Sequence, residues 1–227
     1  RRHTFEIRER VSSEGEIVTP FDDMQARSVV RRLVDEGFEA VAVCFLWSVA
    51  NPVHEIRMGG ILAKDAPSLA ASFSHRLVPI VREYRRASTT AIDASIKPLM
   101  QGHLRRMQSD LRAAGFKGNI FVSTSAGGCT YVDDIVEKPV HTVKSGPAMA
   151  PVAGRAFAAL EQLGNDVIVC DTGGTTFDVG LVRDGELKFT RDTWLGGQWM
   201  GHLMSVSSVD VRSVGAGGGS IAWIDEG

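Results

Sequence analysis

The chain has 227 residues, and 25 Lys plus Arg against 27 Asp plus Glu leave a formal net charge of −2. An apolar fraction of 44% beside 23% charged residues is ample for a packed core and excludes global disorder. That balance argues against nucleic-acid binding through a broad basic face, and the longest apolar run, Ala40 to Trp47, is too short to span a bilayer. Three cysteines make no disulfide framework, and Arg1 and Arg2 are followed by polar residues rather than by the apolar core of a signal peptide. The expectation is a reducing, cytoplasmic protein with neither a nucleic-acid nor a membrane partner.

His3 to Arg10 alternates apolar Phe5 and Ile7 with Glu6 and Arg8, the pattern of a strand with one wet face. Asp22 and Asp23 can cap a helix carrying Val29, Val30, Leu33 and Val34 and ending at Gly37. Ala40 to Trp47 predicts a buried parallel strand, Pro52 opens a helix to about Lys64, and Ala71 to Val78 is a further strand. Ser88 to Ala114 reads as a long helix with Ile92, Ile96, Leu99, Met100, Leu104, Met107 and Leu111 on its apolar face. Pro98 should kink or divide it, and Gly115 ends it. Asn119 to Thr124 is a short strand, and Pro147 to Leu163 is a helix of mostly small residues closed by Gly164. Strands are expected at Asp166 to Cys170, Phe177 to Arg183 and Glu186 to Arg191, the last two joined tightly by Asp184-Gly185. Half of the 24 glycines follow Gly164, so the architecture changes there from alternating strands and helices to a hairpin-rich segment. The fold class is α/β. The closing turn signal Asp225-Glu226-Gly227 and the non-Met start read as a piece of a longer protein.

The strongest chemical signal runs from Val167 to Val182. An apolar strand delivers Asp171 to its carboxyl end, the turn Thr172-Gly173-Gly174-Thr175-Thr176 follows, and a second strand carries Asp178. Glycines let backbone approach an anion, successive N–H groups of such a turn can point at phosphate oxygens, and the threonine hydroxyls add donors. Asp171 and Asp178 offer hard oxygens for Mg²⁺ through its waters. The plain alternative is a hairpin with a glycine-rich turn and surface aspartates.

This string resembles the second phosphate motif of the actin/Hsp70/sugar-kinase ATPases, and the small-residue helix before it is similar to the connecting helix between their two lobes. Further strings resemble the hydantoinase A/5-oxoprolinase family: Asn51-Pro52 with His54-Glu55, the run from Arg82 to Thr90, Ser145-Gly146-Pro147-Ala148, and Gly215 to Ala222. They follow the family order and cover nearly the whole chain. Ala150 and Phe177 depart from the family pattern. The resemblance implies a ribonuclease H-like, actin-like ATPase fold, present in part, with a mixed sheet flanked by helices. Residues 1–163 would complete the first lobe and residues 164–227 would begin the second. It implies an ATP- and Mg²⁺-dependent hydrolase opening hydantoin, N-methylhydantoin or 5-oxoproline through a phosphorylated amide oxygen. The ATPase subunit of an acetone- or acetophenone-type carboxylase is the alternative, and a nucleotide-switched regulator is a third reading. Asp171 and Asp178 would be catalytic and organise Mg²⁺. Thr172, Gly173, Gly174, Thr175 and Thr176 would hold phosphates, joined by Ser145 and Gly146 at a helix start and by Gly217 and Gly218. A second large subunit and an oligomer of the full-length protein are also implied. The family's first phosphate motif does not occur in the chain and a later glycine-rich stretch lies beyond Gly227, so the isolated chain is expected to be inactive.

Weaker candidates have plainer readings. Ser145 suits an ordinary N-cap with Pro147 at the first helical position. Glu55 beside His54 suits a helix dipole, and the cluster Arg82, Glu83, Arg85 and Arg86 suits a surface network. Cys44 and Cys170 read as buried packing residues, Cys129 as an exposed one, and the four tryptophans as core or interface.

Overall fold

The computed structural model describes residues 3–224; the closing turn signal at residues 225–227 and Arg1-Arg2 lie outside them. The first expected strand shrinks to β1 (Arg10–Val11), which pairs antiparallel with β2 (Ile17–Thr19). Phe5 and Ile7 pack against the core from irregular backbone instead. Asp22 caps α1 (Asp23–Asp35) by accepting the Gln25 N–H at 3.0 Å, and Ala26, Val30 and Leu33 form its buried stripe. Gly37 ends it at φ +74°, a left-handed conformation natural to glycine.

β3 (Ala40–Val43) and β4 (Ala70–Phe73) pair in parallel across the helix α2 (Val53–Asp65). Both strands stop short of expectation because side chains capture the backbone groups that a longer ladder would use. Phe45 N–H donates to Glu55 and Phe45 C=O accepts from Arg86, while His75 N–H donates to Glu55. The segment after β4 therefore turns into the short helix α3 (Ser74–Leu77). Val30, Leu33, Val43, Met58 and Leu62 belong to one buried apolar cluster on these elements.

The long helix α4 (Glu83–Ala113) runs undivided through Pro98. Its inner face is not the expected apolar row: Leu99 is 77% exposed, and the buried residues are Arg86, Thr89, Thr90, Asp93, Ala94, Lys97 and Leu104. Arg86 and Asp93 are completely buried, so the expected surface network is corrected for Arg86. Arg86 donates to Ser74 Oγ, Ile80 O and Phe45 O at 3.0, 2.9 and 2.6 Å. Glu55, also fully buried rather than a simple dipole partner, accepts from Phe45 N, Ser74 Oγ, His75 N and His75 Nδ1. Arg86 and Glu55 are tolerated in the interior because each is held by three or more hydrogen bonds.

Beyond α4 the chain makes a hairpin of β5 (Phe121–Ser123) and β6 (Cys129–Tyr131), the second strand being unexpected. Then come α5 (Val132–Glu137), a 3₁₀ turn at Pro139–Thr142, and α6 (Ser145–Leu160). β7 (Val167–Thr172) and β8 (Phe177–Arg183) form the central hairpin, and β9 (Glu186–Leu187) adds to β8 through Asp184 and Gly185, both at positive φ. β10 (Phe189–Thr190) pairs with β13 (Ser208–Val209), β11 (Thr193–Leu195) with β12 (His202–Met204), and β14 (Val211–Val214) with β8. The expected third strand of 186–191 is thus two short ones.

The architecture is mixed α/β, in two compact units that interleave along the chain. One comprises the described residues through Gly118 with Val132–Val140 and Asp192–Val206. The other comprises Asn119–Tyr131, His141–Arg191 and the described residues from Ser207 onward. No helix among the described residues is long and apolar enough to cross a membrane.

Candidate functional site

β7 reaches its turn as an edge strand in the order β14-β8-β7. It is not buried on both faces: Ile168 is 71% exposed and Cys170 is exposed, correcting the packing role expected for that thiol. The other face is covered by α6. A Cβ on Gly154 would lie 2.3 Å from Val169 Cγ2, and one on Gly180 would lie 2.2 Å from Pro151 Cγ. The small residues of α6 therefore serve close helix–sheet approach. Ala158 and Ala159 line a cleft with Val167, Val182 and Gly185, at the hairpin end remote from the Gly173-Gly174 turn. With Gly154 and Pro151 over the Val169/Gly180 pair, the N-terminus of α6 heads toward the Asp171 end of the hairpin.

At that end Asp171 and Asp178 are direct cross-strand partners, two positions beyond Val169 and Gly180, so both carboxylates project on the α6 face. β14 places Ser213 opposite Asp178 on the same face. Ser213 escaped sequence reasoning, because nothing local announces that β14 pairs with β8. Asp171 is exposed, whereas Asp178 is only 8% exposed. Asp178 Oδ2 accepts from Thr176 Oγ1 at 3.3 Å, and Oδ1 is buried with no hydrogen-bond partner among the described residues. A buried carboxylate oxygen without a donor is costly and calls for one.

Residues 173–176 close on themselves through Gly173 N–H to Thr176 O at 2.9 Å. The N–H groups of Gly174, Thr175 and Thr176 have no protein acceptor among the described residues. A Cβ on Gly174 would meet nothing within 4 Å, so the turn has free space beside its free donors. The Gly215 to Ser220 loop comes to this turn: Gly218 N–H donates to Gly173 O at 2.9 Å, and a Cβ on Gly217 would stand 2.6 Å from Gly174 C. Glycine at 217 is thus required by backbone contact. Gly217 N–H is taken by Ser220 Oγ at 3.0 Å.

The start of α6 differs from expectation. Lys144, at φ +62°, is the cap residue and gives no side-chain cap; Ser145 is the first helical residue and Pro147 the third. Ser145 is therefore not the N-cap, and the N–H groups of Ser145 and Gly146 have no acceptor among the described residues. Thr172 ends β7 opposite Phe177. Among the described residues no group of three or more His, Cys, Asp and Glu side chains could hold a metal, so a cation here would rest on the two aspartates, water and its own ligand's oxygens. The donor-rich turn, the orphaned carboxylate oxygen and the open space at Gly174 fit a phosphate group with a hydrated cation. Of the tryptophans, Trp199 and Trp223 are 81% and 75% exposed, which corrects the core reading for both.

The family described as Hydantoinase/oxoprolinase matches residues 86–227, and the one described as Hydantoinase/oxoprolinase N-terminal region matches residues 1–66. Caprolactamase subunit alpha of Pseudomonas jessenii is 32% identical over 96% of this chain and 30% of its own length. Acetophenone carboxylase gamma subunit of Aromatoleum aromaticum is 33% identical over 96% of this chain and 30% of its own. 5-Oxoprolinase of Saccharomyces cerevisiae is 28% identical over 89% of this chain and 15% of its own. The crystal structure of the ATP-dependent caprolactamase from Pseudomonas jessenii superposes with a TM-score of 0.84 at 32% identity, covering 97% of this chain and 31% of that one. The chain spans about a third of the length of the first curated relatives it matches.

Proposed function

We propose that this chain, which belongs to the hydantoinase/oxoprolinase family, supplies the phosphate side of the nucleotide site in an ATP-dependent hydrolase that opens cyclic amides. The observation that carries the reading is the Asp171/Asp178 cross-strand pair beside a turn whose N–H groups at Gly174, Thr175 and Thr176 are free. We place the site on a ribonuclease H-like, actin-like ATPase scaffold, with residues 1–163 in its first lobe and 164–227 in its second. Hydantoin, N-methylhydantoin and 5-oxoproline are the substrate class. A second large subunit is the partner, and the full-length protein is oligomeric and cytoplasmic.

When bound, MgATP supplies the phosphoryl group that turns an amide oxygen into a leaving group. The chain's own residues position and neutralise. Backbone donors at Gly174, Thr175 and Thr176 hold phosphate oxygens. Thr172 and Gly173 set the turn, and Gly217 and Gly218 brace it from the neighbouring loop. Ser145 and Gly146 add helix N-terminal donors on the same side. Asp171 and Asp178 would hold a hydrated Mg²⁺, whose waters would supply donors for the unpartnered Oδ1. Such groups are fixed before the ligand arrives and need little reorganisation.

The relative that is a carboxylase subunit favours a second reading, the ATPase subunit of a ketone carboxylase. Both readings share the phosphate site. Titrating the full-length protein with ATP, with Mg²⁺ and with EDTA, tests that site. Tighter binding with Mg²⁺ is expected in the natural protein, and the difference should vanish in the double variant Asp171→Asn/Asp178→Asn. An unchanged Mg²⁺ dependence in that variant would remove both aspartates from the site.

A further inference from the structure

In the unit that contains α4, a cavity of about 130 Å³ opens among Ser72, Arg76, Asp93, Lys97, Glu137 and Lys138. That is several times the space one water needs. Lys97 is only 5% exposed, and its ammonium donates one hydrogen bond, to Ala71 O at 3.0 Å, beside an ion pair with Asp93 Oδ2 at 3.4 Å. Asp93 is better supplied, since Ser72 Oγ donates to its Oδ2 at 2.6 Å and Val140 N–H to its Oδ1 at 3.0 Å. Two neutral donors thus share the charge that would otherwise serve Lys97 alone. Arg76 and Lys138, also in the lining, have no ion-pair partner among the described residues. Glu137 is the remaining carboxylate of the lining. Three cations face two carboxylates, and one of those carboxylates is already engaged.

We propose that this cavity is a binding site for a small tetrahedral oxyanion of the inorganic phosphate type. Lys97 Nζ would donate a free proton from the buried end, and Arg76 and Lys138 would close on the ligand from the rim. A guanidinium fork and an ammonium are the groups that recognise such an anion, and a partly enclosed wall strengthens their hydrogen bonds. The site uses none of the residues assigned above to the nucleotide, so it stands independently of that reading.

Calorimetric titration of the full chain with inorganic phosphate tests it, with acetate as the carboxylate comparison. Expected is saturable binding of one phosphate per chain, weakened about tenfold or more in the variant Arg76→Ala/Lys138→Ala and unchanged in Asp171→Asn/Asp178→Asn. Both rim side chains can be removed without breaking a hydrogen bond of the core; Lys97→Met should abolish binding if it folds. Absence of saturable phosphate binding, equal binding of acetate, or loss in the aspartate variant with retention in the rim variant would each overturn the proposal.

Discussion

Asp178 combines three properties rarely found together on a structural carboxylate: it is buried, it has one weak internal donor, and one of its oxygens has none. The protein bears a desolvation cost there that a ligand's donors would relieve. Asp178→Asn should therefore raise the stability of the ligand-free chain by roughly 1 kcal/mol while abolishing its stabilisation by MgATP. Urea unfolding with and without nucleotide measures both, and a variant that loses stability yet keeps the MgATP effect would show a structural carboxylate instead. The cysteines give a second test at this scale. Burial pushes the Cys44 thiol above its ordinary value of 9.0, whereas Cys129 and Cys170 are exposed. Thiolate is the reactive form, so a disulfide reagent at mildly alkaline pH should titrate two thiols quickly and the third slowly in the native chain. Three equally fast thiols would contradict the packing around Cys44.

Among the elements, α6 and the β7–β8 hairpin depend on two glycines that have no room for a methyl group. Gly180→Ala should cost about 1–3 kcal/mol of stability through forced contact with Pro151, whereas Gly174→Ala, in open space, should leave stability nearly unchanged and weaken nucleotide binding. Equal stability losses for the two would mean that the turn is packed rather than open. Arg57 links α2 to α1 through a two-bond grip on Asp23, with bonds of 2.7 and 2.8 Å. That grip holds the Asp23 carboxyl below its ordinary 3.8, so its stabilising effect is complete above that value and disappears as pH falls through the lowered one. Asp23→Asn should flatten the acid limb of the stability curve slightly, because both side chains are largely in solvent.

These elements also show what local sequence can carry. The hairpin, its turn and the caps at Asp22 and Gly37 were legible because every interaction that defines them lies within a few residues. The expected end of α6 was not: the helix stops at Leu160, and Gln162 rather than Gly164 takes the left-handed position that closes it, with Leu163 N–H donating to Ala158 O. The inner face of α4 was not legible either. Arg86 reads as a surface charge until its partners are known, and the buried Asp93 has a donor, Val140 N–H, that lies 47 residues away. Lacking those partners, periodicity nominates Leu99, which stands in solvent. Strand lengths failed for the same reason: Glu55 and Arg86 take the backbone groups of Phe45 from a distance. The site was legible in its aspartates and glycines. It was not legible in Ser213, nor in the contact of Gly217 with the Gly174 turn, which only tertiary pairing brings about.

At the scale of the molecule, the chain passes back and forth between its two compact units, so a single sequence boundary does not describe their division. The Gly173-Gly174 turn, the loop that braces it and α6 all lie in one unit, which gives the candidate site an internally consistent frame. This chain covers about a third of the length of its first curated relatives, and under the proposed reading its nucleotide site draws on residues outside it as well. The 227 residues alone should therefore show no substrate-dependent ATPase activity. The most direct test of the whole account is ADP release by the full-length protein with MgATP, offered 5-oxoproline, hydantoin, N-methylhydantoin, acetone and acetophenone in turn, each with and without bicarbonate. The account predicts stimulation by a cyclic amide without bicarbonate. Stimulation by a ketone alone, or only when bicarbonate is present, would contradict it and assign the site to carboxylation.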